Sequence, residues 1–263
     1  MDQQTIAGAS FDHSPLTHEI ESQIVSKCVD AYGLRLEDKS VVLVLRNVQG
    51  PHGMIKSLDV PLNLKFEIKP DDDKSVRAGF SKEHMRVRLS IMQKHVIDAR
   101  GVPHVPFSTV YFDAYRGSIV HEIVHAVDYM SKKSKFVKQA ATTRTRGLEK
   151  KTPEHDKAYH GSPTEIRAYI EEIIYILEQR GARLLDEASI GGKADSTKIA
   201  LFIKAPPESL MIESIEAKLL PPKYKRFIEN TTPRARLELV RRLRILQQSM
   251  KRRYSGSLGI MPG

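Results

Sequence analysis

Apolar residues recur along this chain with two different periods, and the change from one to the other divides it. Leu62, Leu64, Phe66 and Ile68 alternate with Asn63, Lys65 and Glu67, and Met85, Val87, Leu89 and Ile91 alternate with Arg86, Arg88 and Ser90. Alternation with period two predicts two half-buried strands. The run Val41 to Leu45 is apolar throughout and predicts a third strand. Ahead of it, Thr17 as cap and Ile20, Ile24, Val25 and Cys28 at helical spacing predict a helix reaching Gly33. A charged turn, Pro70 to Lys74, separates the two alternating strands, and a Gly/Pro loop, Arg100 to Pro106, follows them.

From there the spacing becomes helical. Val120, Ile123, Val124, Val127 and Met130 fall on one side of a helix, and Ile166, Ile170, Ile173, Ile174 and Leu177 on one side of another. Beyond Gly181 the pattern stays helical, interrupted at Gly191-Gly192, Pro206-Pro207 and Pro221-Pro222. The fold class is therefore α+β: an N-terminal mixed sheet, then helices, with residues 1–182 as one domain and 183–263 as a helical extension. Met85 to Ile91 is the expected edge strand, the one free to pair with an extended peptide.

The chemistry lies in the first of these helices, at His121-Glu122-Ile123-Val124-His125. Histidines four apart project from one helix face a turn apart, so both rings can reach one ion. Glu122 falls on the flank, placed to take a proton from a water the metal activates and to hand it to a leaving amine. His121, His125 and Asp128 lie together on the side opposite the apolar stripe, so this face is expected to look away from the core. Asp128, one turn beyond His125, is either a carboxylate that accepts the second ring N–H of a ligand histidine or an exposed helix residue.

A catalytic zinc site needs a third protein ligand. Position 131 is Ser, which excludes the extended motif with a third histidine six residues after the second. Glu165 is the leading choice, at the start of the second helix in Ser162-Pro163-Thr164-Glu165. The same four residues form a capping box, in which Glu165 would instead satisfy a backbone N–H. Glu171, His160 and Asp156 are the rivals as ligand.

The run His121-Glu-Ile-Val-His-Ala-Val-Asp128, followed some thirty residues on by Tyr159 and then Ser-Pro-Thr-Glu165-Ile-Arg-Ala, resembles the metal centre of gluzincin-type metallopeptidases. It is most similar to the catalytic domain of anthrax-lethal-factor-like peptidases and to zincin domains of phages and mobile elements. The likeness covers about residues 115 to 175. It implies a zincin-like fold, Zn²⁺ held by His121, His125 and Glu165, Glu122 as general base and Tyr159 as a donor to the oxyanion. His160 competes with Tyr159 for that last role, since an imidazolium can donate as a phenol can.

Composition adds bounds. The 263 residues, 40% hydrophobic, suffice for a large core. Cys28 is the only cysteine, which excludes an internal disulfide and predicts a buried structural thiol. No apolar run is long enough to cross a bilayer, and no signal-peptide pattern opens the chain, so a cytoplasmic location is expected unless another machine packages or exports it. The net charge of +10 is concentrated. Residues 131–151 carry eight Lys or Arg against Glu149, and 232–254 carry eight against Glu238. The first segment is expected as a basic rim or loop over the cleft; the second, capped by Thr232 with Pro233 in its first turn, as a basic amphipathic helix. Two functions of different class follow: a zinc endopeptidase acting on peptide substrates, or a nucleic-acid- or virion-associated binding protein with a vestigial zincin domain, its basic segments meeting phosphates or an acidic protein surface.

Overall fold

Leu16, Ile20, Ile24 and Val25 repeat at helical spacing, and all four are buried. They form α1 (Pro15–Ile20), continued by a π-helical turn (Glu21–Val25) and α2 (Ser26–Cys28). The helical run stops at Cys28 instead of reaching Gly33, because Val29 is β-branched and Gly33 is a poor helix former. Val29–Asp30 (β1) and Gly33–Leu34 (β2) pair antiparallel instead. The computed structural model describes residues 15–30, 33–34, 38–50, 53–70, 72, 78–92, 109–150, 152–189 and 195–254. The loop at 100–106, most of the turn at 70–74, Gly191-Gly192 and the Cys28 side chain lie outside the described residues.

Four strands make the main sheet: β3 (Lys39–Gly50), β4 (Gly53–Lys69), β5 (Ala78–Ser81) and β6 (Arg86–Met92). Their order is β3-β4-β6-β5, with β4 parallel to β6 and the other pairs antiparallel, so the sheet is mixed as the alternation predicts. β3 and β4 extend well beyond the apolar segments that announced them. Pro61 falls inside β4, just ahead of the stretch from Asn63 onward that β6 joins. The expected edge strand is corrected. β6 is interior, flanked by β4 and β5, and β3 and the four-residue β5 form the two edges. Leu43, Leu45, Val60, Leu62, Leu64, Val87, Leu89 and Ile91 are the buried face of the sheet. Each such side chain contributes about 1.5–3 kcal/mol through burial.

The helices follow: α3 (Thr109–Ser131), α4 (Lys133–Gln139), α5 (Ala141–Arg144), α6 (Pro153–His160), α7 (Pro163–Ser189), α8 (Ser196–Lys204), α9 (Pro207–Glu216), α10 (Lys223–Asn230) and α11 (Pro233–Tyr254). Prolines open α9 and α11 at their first position, where a missing N–H removes no helical bond. Residue 182 falls inside α7, and one hydrophobic cluster runs from Leu16 to Tyr254. Among the described residues no helix is long and apolar enough to cross a membrane.

Two of these helices decide the site. α3 packs between the sheet and α7, and it lies tight against α7 at Gly117, where a Cβ would stand 2.7 Å from Cδ1 of Ile176. A bulkier residue there would hold the helices apart.

Candidate metal centre

The apolar stripe of α3 is buried as expected, with Val120, Ile123, Val124 and Val127 all in the core. The opposite face does not look outward. His121, His125 and Asp128 are buried as well, because α7 lies across them. A helix covered on both sides brings its polar face against another polar face, and here that face belongs to the first turns of α7.

Nε2 of His121 and Nε2 of His125 lie 3.2 Å apart. Oε2 of Glu165 is 3.4 Å from the first and Oε1 is 3.4 Å from the second. Zinc bonds of about 2.0–2.1 Å in tetrahedral arrangement require donor separations of about 3.3–3.4 Å, so these three side chains are spaced to share one ion. Among the described residues they are the one group of three His, Cys, Asp or Glu close enough to do so. Oε2 of Glu165 is buried with no hydrogen-bond partner, a condition that a bound cation would relieve.

The double reading of Glu165 is resolved by its neighbours. Ser162 Oγ accepts the Glu165 backbone N–H at 3.3 Å, which is the cap half of the box. The Ser162 N–H already donates to the Tyr159 carbonyl at 3.0 Å. No N–H is left for the Glu165 carboxylate to satisfy, and it turns to the imidazoles.

Sequence reasoning missed Glu172. Nδ1 of His121 is 3.0 Å from Oε2 of Glu172, and Oε1 of Glu172 accepts from Lys223 Nζ at 2.7 Å. The available signal was spacing, since Glu172 lies seven residues after Glu165 and hence on the same face of α7 two turns on. The rivals are placed elsewhere. Glu171 accepts from Thr17 Oγ1 at 2.6 Å and pairs with Arg242 at 3.0 Å. Asp156 lies beside His155, and His160 packs against the rings of Tyr169 and Phe227.

Both expectations for Asp128 are corrected. It is fully buried, and it pairs with Arg167, whose Nε donates to Oδ2 at 2.8 Å. Nδ1 of His125 has no hydrogen-bond partner among the described residues. Arg167 reaches Asp128 from one turn past the start of α7, so the pair ties the two metal-facing helices together.

Burial by itself would lower the pKa of His121, but hydrogen bonds to Glu165 and Glu172 and their charges raise it to about 10. Burial would raise Glu165 and Glu172; the imidazoles, His125 foremost, hold Glu165 far below the usual carboxylate range, and Lys223 and His121 hold Glu172 at about 2. Glu122 moves the other way. Burial raises its pKa against the pull of the two histidines, which makes it a stronger base than an exposed glutamate.

A cleft of about 490 Å³ opens over this group. Glu122, His125, Glu165 and Tyr159 line it on one side and the edge strand β5 on another. Burial and the neighbouring Glu165 push the Tyr159 hydroxyl well above its ordinary pKa, so it stays protonated and able to donate. The segment 131–151 meets the cleft as helix rather than loop, and through uncharged residues: Phe136 and Val137 of α4 and Ala141 to Thr143 of α5 form the facing wall. Lys135, Lys138 and Arg144 are exposed on it.

The basic terminal helix is docked by its apolar stripe, with Leu239, Leu243, Leu246 and Met250 buried and Thr232 Oγ1 accepting the Ala235 N–H. Several of its arginines are engaged within the protein: Arg242 with Glu171, Arg241 with Glu238 and Arg244 with Glu208.

Compared with protein-family models, with curated proteins and with solved structures, the chain finds no match.

Proposed function

We propose that this chain is a zinc-dependent endopeptidase, with His121, His125 and Glu165 as the ligands. The observation that carries the reading is the meeting of two imidazole nitrogens 3.2 Å apart with a carboxylate 3.4 Å from each, buried beneath an open cleft. A divalent ion held there supplies Lewis acidity to a substrate carbonyl and to a water. Two nitrogens and a carboxylate also suit other first-row ions; zinc is preferred because Glu122, adjacent to the first histidine, is the base that hydrolysis requires.

Glu122 takes a proton from the attacking water and delivers it to the nitrogen of the departing amine, its basicity raised by burial. The Tyr159 hydroxyl donates to the carbonyl oxygen as negative charge collects there, a contribution worth about a hundredfold in rate or more. Extended polypeptide fits the cleft because β5 offers along it an edge that no other strand pairs with among the described residues. A chain running past the site along an edge strand is cut internally, hence an endopeptidase.

The test combines metal analysis of the purified protein with a proteolysis assay on wild type and Glu122→Gln. Stoichiometric zinc in both, with cleavage by wild type alone, is the expected result. Cleavage that survives the substitution rejects the mechanism.

A further inference from the structure

A second hollow, of about 370 Å³, opens beside the cleft: Ala78, Gly79, Phe80 and Ser81 of β5 line both, and His84, Arg86 and Arg88 wall the second alone. The register explains the division. Gly79 faces Arg88 and Ser81 faces Arg86 across the β5–β6 ladder, and cross-strand partners share a face of the sheet. Phe80 and its partner Val87 point to the opposite face, where the Phe80 ring meets Tyr129 and Phe136 beside the metal site. The face of β5 that carries Phe80 is thus turned to the His121–His125–Glu165 group, and the face that carries Gly79 and Ser81 is shared with two arginines.

No acidic side chain lines the described part of this hollow. Arg86 is half-buried, its Nε has no hydrogen-bond partner, and it makes no ion pair among the described residues. Asp38, whose carboxylate feels the Arg86 charge, is in direct contact with Lys65 and the Phe66 N–H instead. Arg88 is 3.8 Å from Glu67, at the outer limit of an ion pair, and both are substantially exposed. A half-buried guanidinium with no carboxylate in direct contact is costly, and its five donors in a planar fork match a carboxylate.

We infer that this hollow selects the substrate by binding the carboxylates of an acidic polypeptide lying along β5. The inference rests on the peptidase reading for the placement of the peptide. A strand added to the β5 edge sits about 4.8 Å away and sends alternate side chains to each face. On the outer face those side chains pass over Gly79, where an added Cβ would meet nothing within 4 Å, and over the small Ser81. Arg86 and Arg88 stand one strand further on, within the combined reach of an arginine and a glutamate. The net charge of +10 and the exposed Lys135, Lys138 and Arg144 on the facing wall draw the same class of substrate from solution.

The experiment uses the full chain carrying Glu122→Gln, so that no turnover is needed, and measures binding by fluorescence anisotropy. The probes are two labelled peptides of equal length, one with Glu at alternate positions and the other with Gln there. The Glu peptide is expected to bind about tenfold more tightly, and this preference is expected to fall towards unity in Arg86→Gln/Arg88→Gln. Equal affinity for the two peptides overturns the inference, and so does a preference that the double variant retains. The two peptides compared on the Glu122→Gln protein test the inference without the double variant, and a cooperative urea transition of the double variant shows that a lost preference belongs to folded protein. A single-stranded oligonucleotide that binds with the same arginine dependence, in place of the Glu peptide, also overturns it and reassigns the hollow to phosphate. Incubating the Glu peptide with the unsubstituted protein reads the peptidase separately: a peptide bound through the arginines but never cut removes the enzyme assignment and leaves the acidic-peptide site.

Discussion

Nδ1 of His121 lies 3.0 Å from Oε2 of Glu172, a carboxylate almost wholly buried whose other oxygen accepts from Lys223 at 2.7 Å. A carboxylate behind a ligand imidazole keeps the proton on Nδ1 and leaves the Nε2 lone pair directed at the ion position. The lysine belongs to α10, far along the chain, so the helical C-terminal part supplies a charge to the centre.

Glu172→Ala is therefore expected to weaken zinc binding by about 10- to 100-fold while leaving all three ligands in place. Lys223→Met is expected to do the same to a smaller degree, because the lysine is 44% exposed and its charge is partly screened. Competition with a chromogenic chelator measures both. Unchanged affinity in Glu172→Ala would mean that the His121 ring is oriented by packing alone, for instance by Tyr169, whose ring centroid lies 4.8 Å away.

Helices α3 and α7 are also clamped by Arg167 and Asp128. Removing the guanidinium leaves a fully buried carboxylate without its principal partner. Arg167→Met, which keeps the apolar stem, is expected to destabilise the protein by about 3 kcal/mol in urea unfolding. A loss within a few tenths would show that Asp128 is held adequately by its other contacts.

Much of this centre was legible in the sequence. Helical periodicity fixed His121 and His125 on one face, and the Ser162-Pro163 start of α7 marked where Glu165 would stand. What could not be read depends on how elements meet. Glu171 and Glu172 are indistinguishable as neighbours in a string; the crossing of α3 over α7 turns one to His121 and the other to Arg242. Asp128 was misjudged for the same reason, since a helical wheel shows which residues share a face but not that a second helix covers it. In the sheet, Ala78–Ser81 is too short to show alternation, and its place at the edge is set by pairing to β6. The assignment of β6 as the edge failed because a regular strand pattern carries no information on how many neighbours it has.

His160 gives a pH signature. It is buried against Tyr169 of α7 and Phe227 of α10, and burial lowers its pKa, aided by Arg226 and His155 and opposed by Asp156 and Glu165. The folded protein therefore holds it neutral, while the unfolded chain takes up a proton near its ordinary value of about 6.5. A depressed folded pKa contributes stability that is present above the unfolded value and is lost as the pH falls from there through the folded one. Wild type is expected to lose stability more steeply than His160→Phe as the pH is lowered below about 6.5, the phenyl ring preserving the stack. Urea midpoints across that range decide it, and parallel curves for the two proteins would remove His160 as a source of acid sensitivity.

Gly117 stands one turn before His121 on α3, tight against Ile176 and Glu172 of α7. A methyl group there would lie 2.7 Å and 2.8 Å from the Cδ1 and Cγ1 of Ile176 and 3.3 Å from Cγ of Glu172. Alanine is the better helix former by about 1 kcal/mol, so propensity alone predicts stabilisation. Overpacking opposes it at about 1–3 kcal/mol, since Ile176 is fully buried and, being β-branched, stiff at χ1. The steric effect wins, and it acts along the line that joins α3 to Glu172. Gly117→Ala is thus expected to be less stable than wild type and to bind zinc more weakly, because separating the helices draws the Glu172 carboxylate from Nδ1 of His121 and Glu165 from both Nε2 atoms. Calorimetry with and without zinc measures the two effects on one sample. A variant that melts higher than wild type and binds zinc equally well would show that the crossing has slack, and that the spacing of the ligands does not depend on the absence of a side chain at this position.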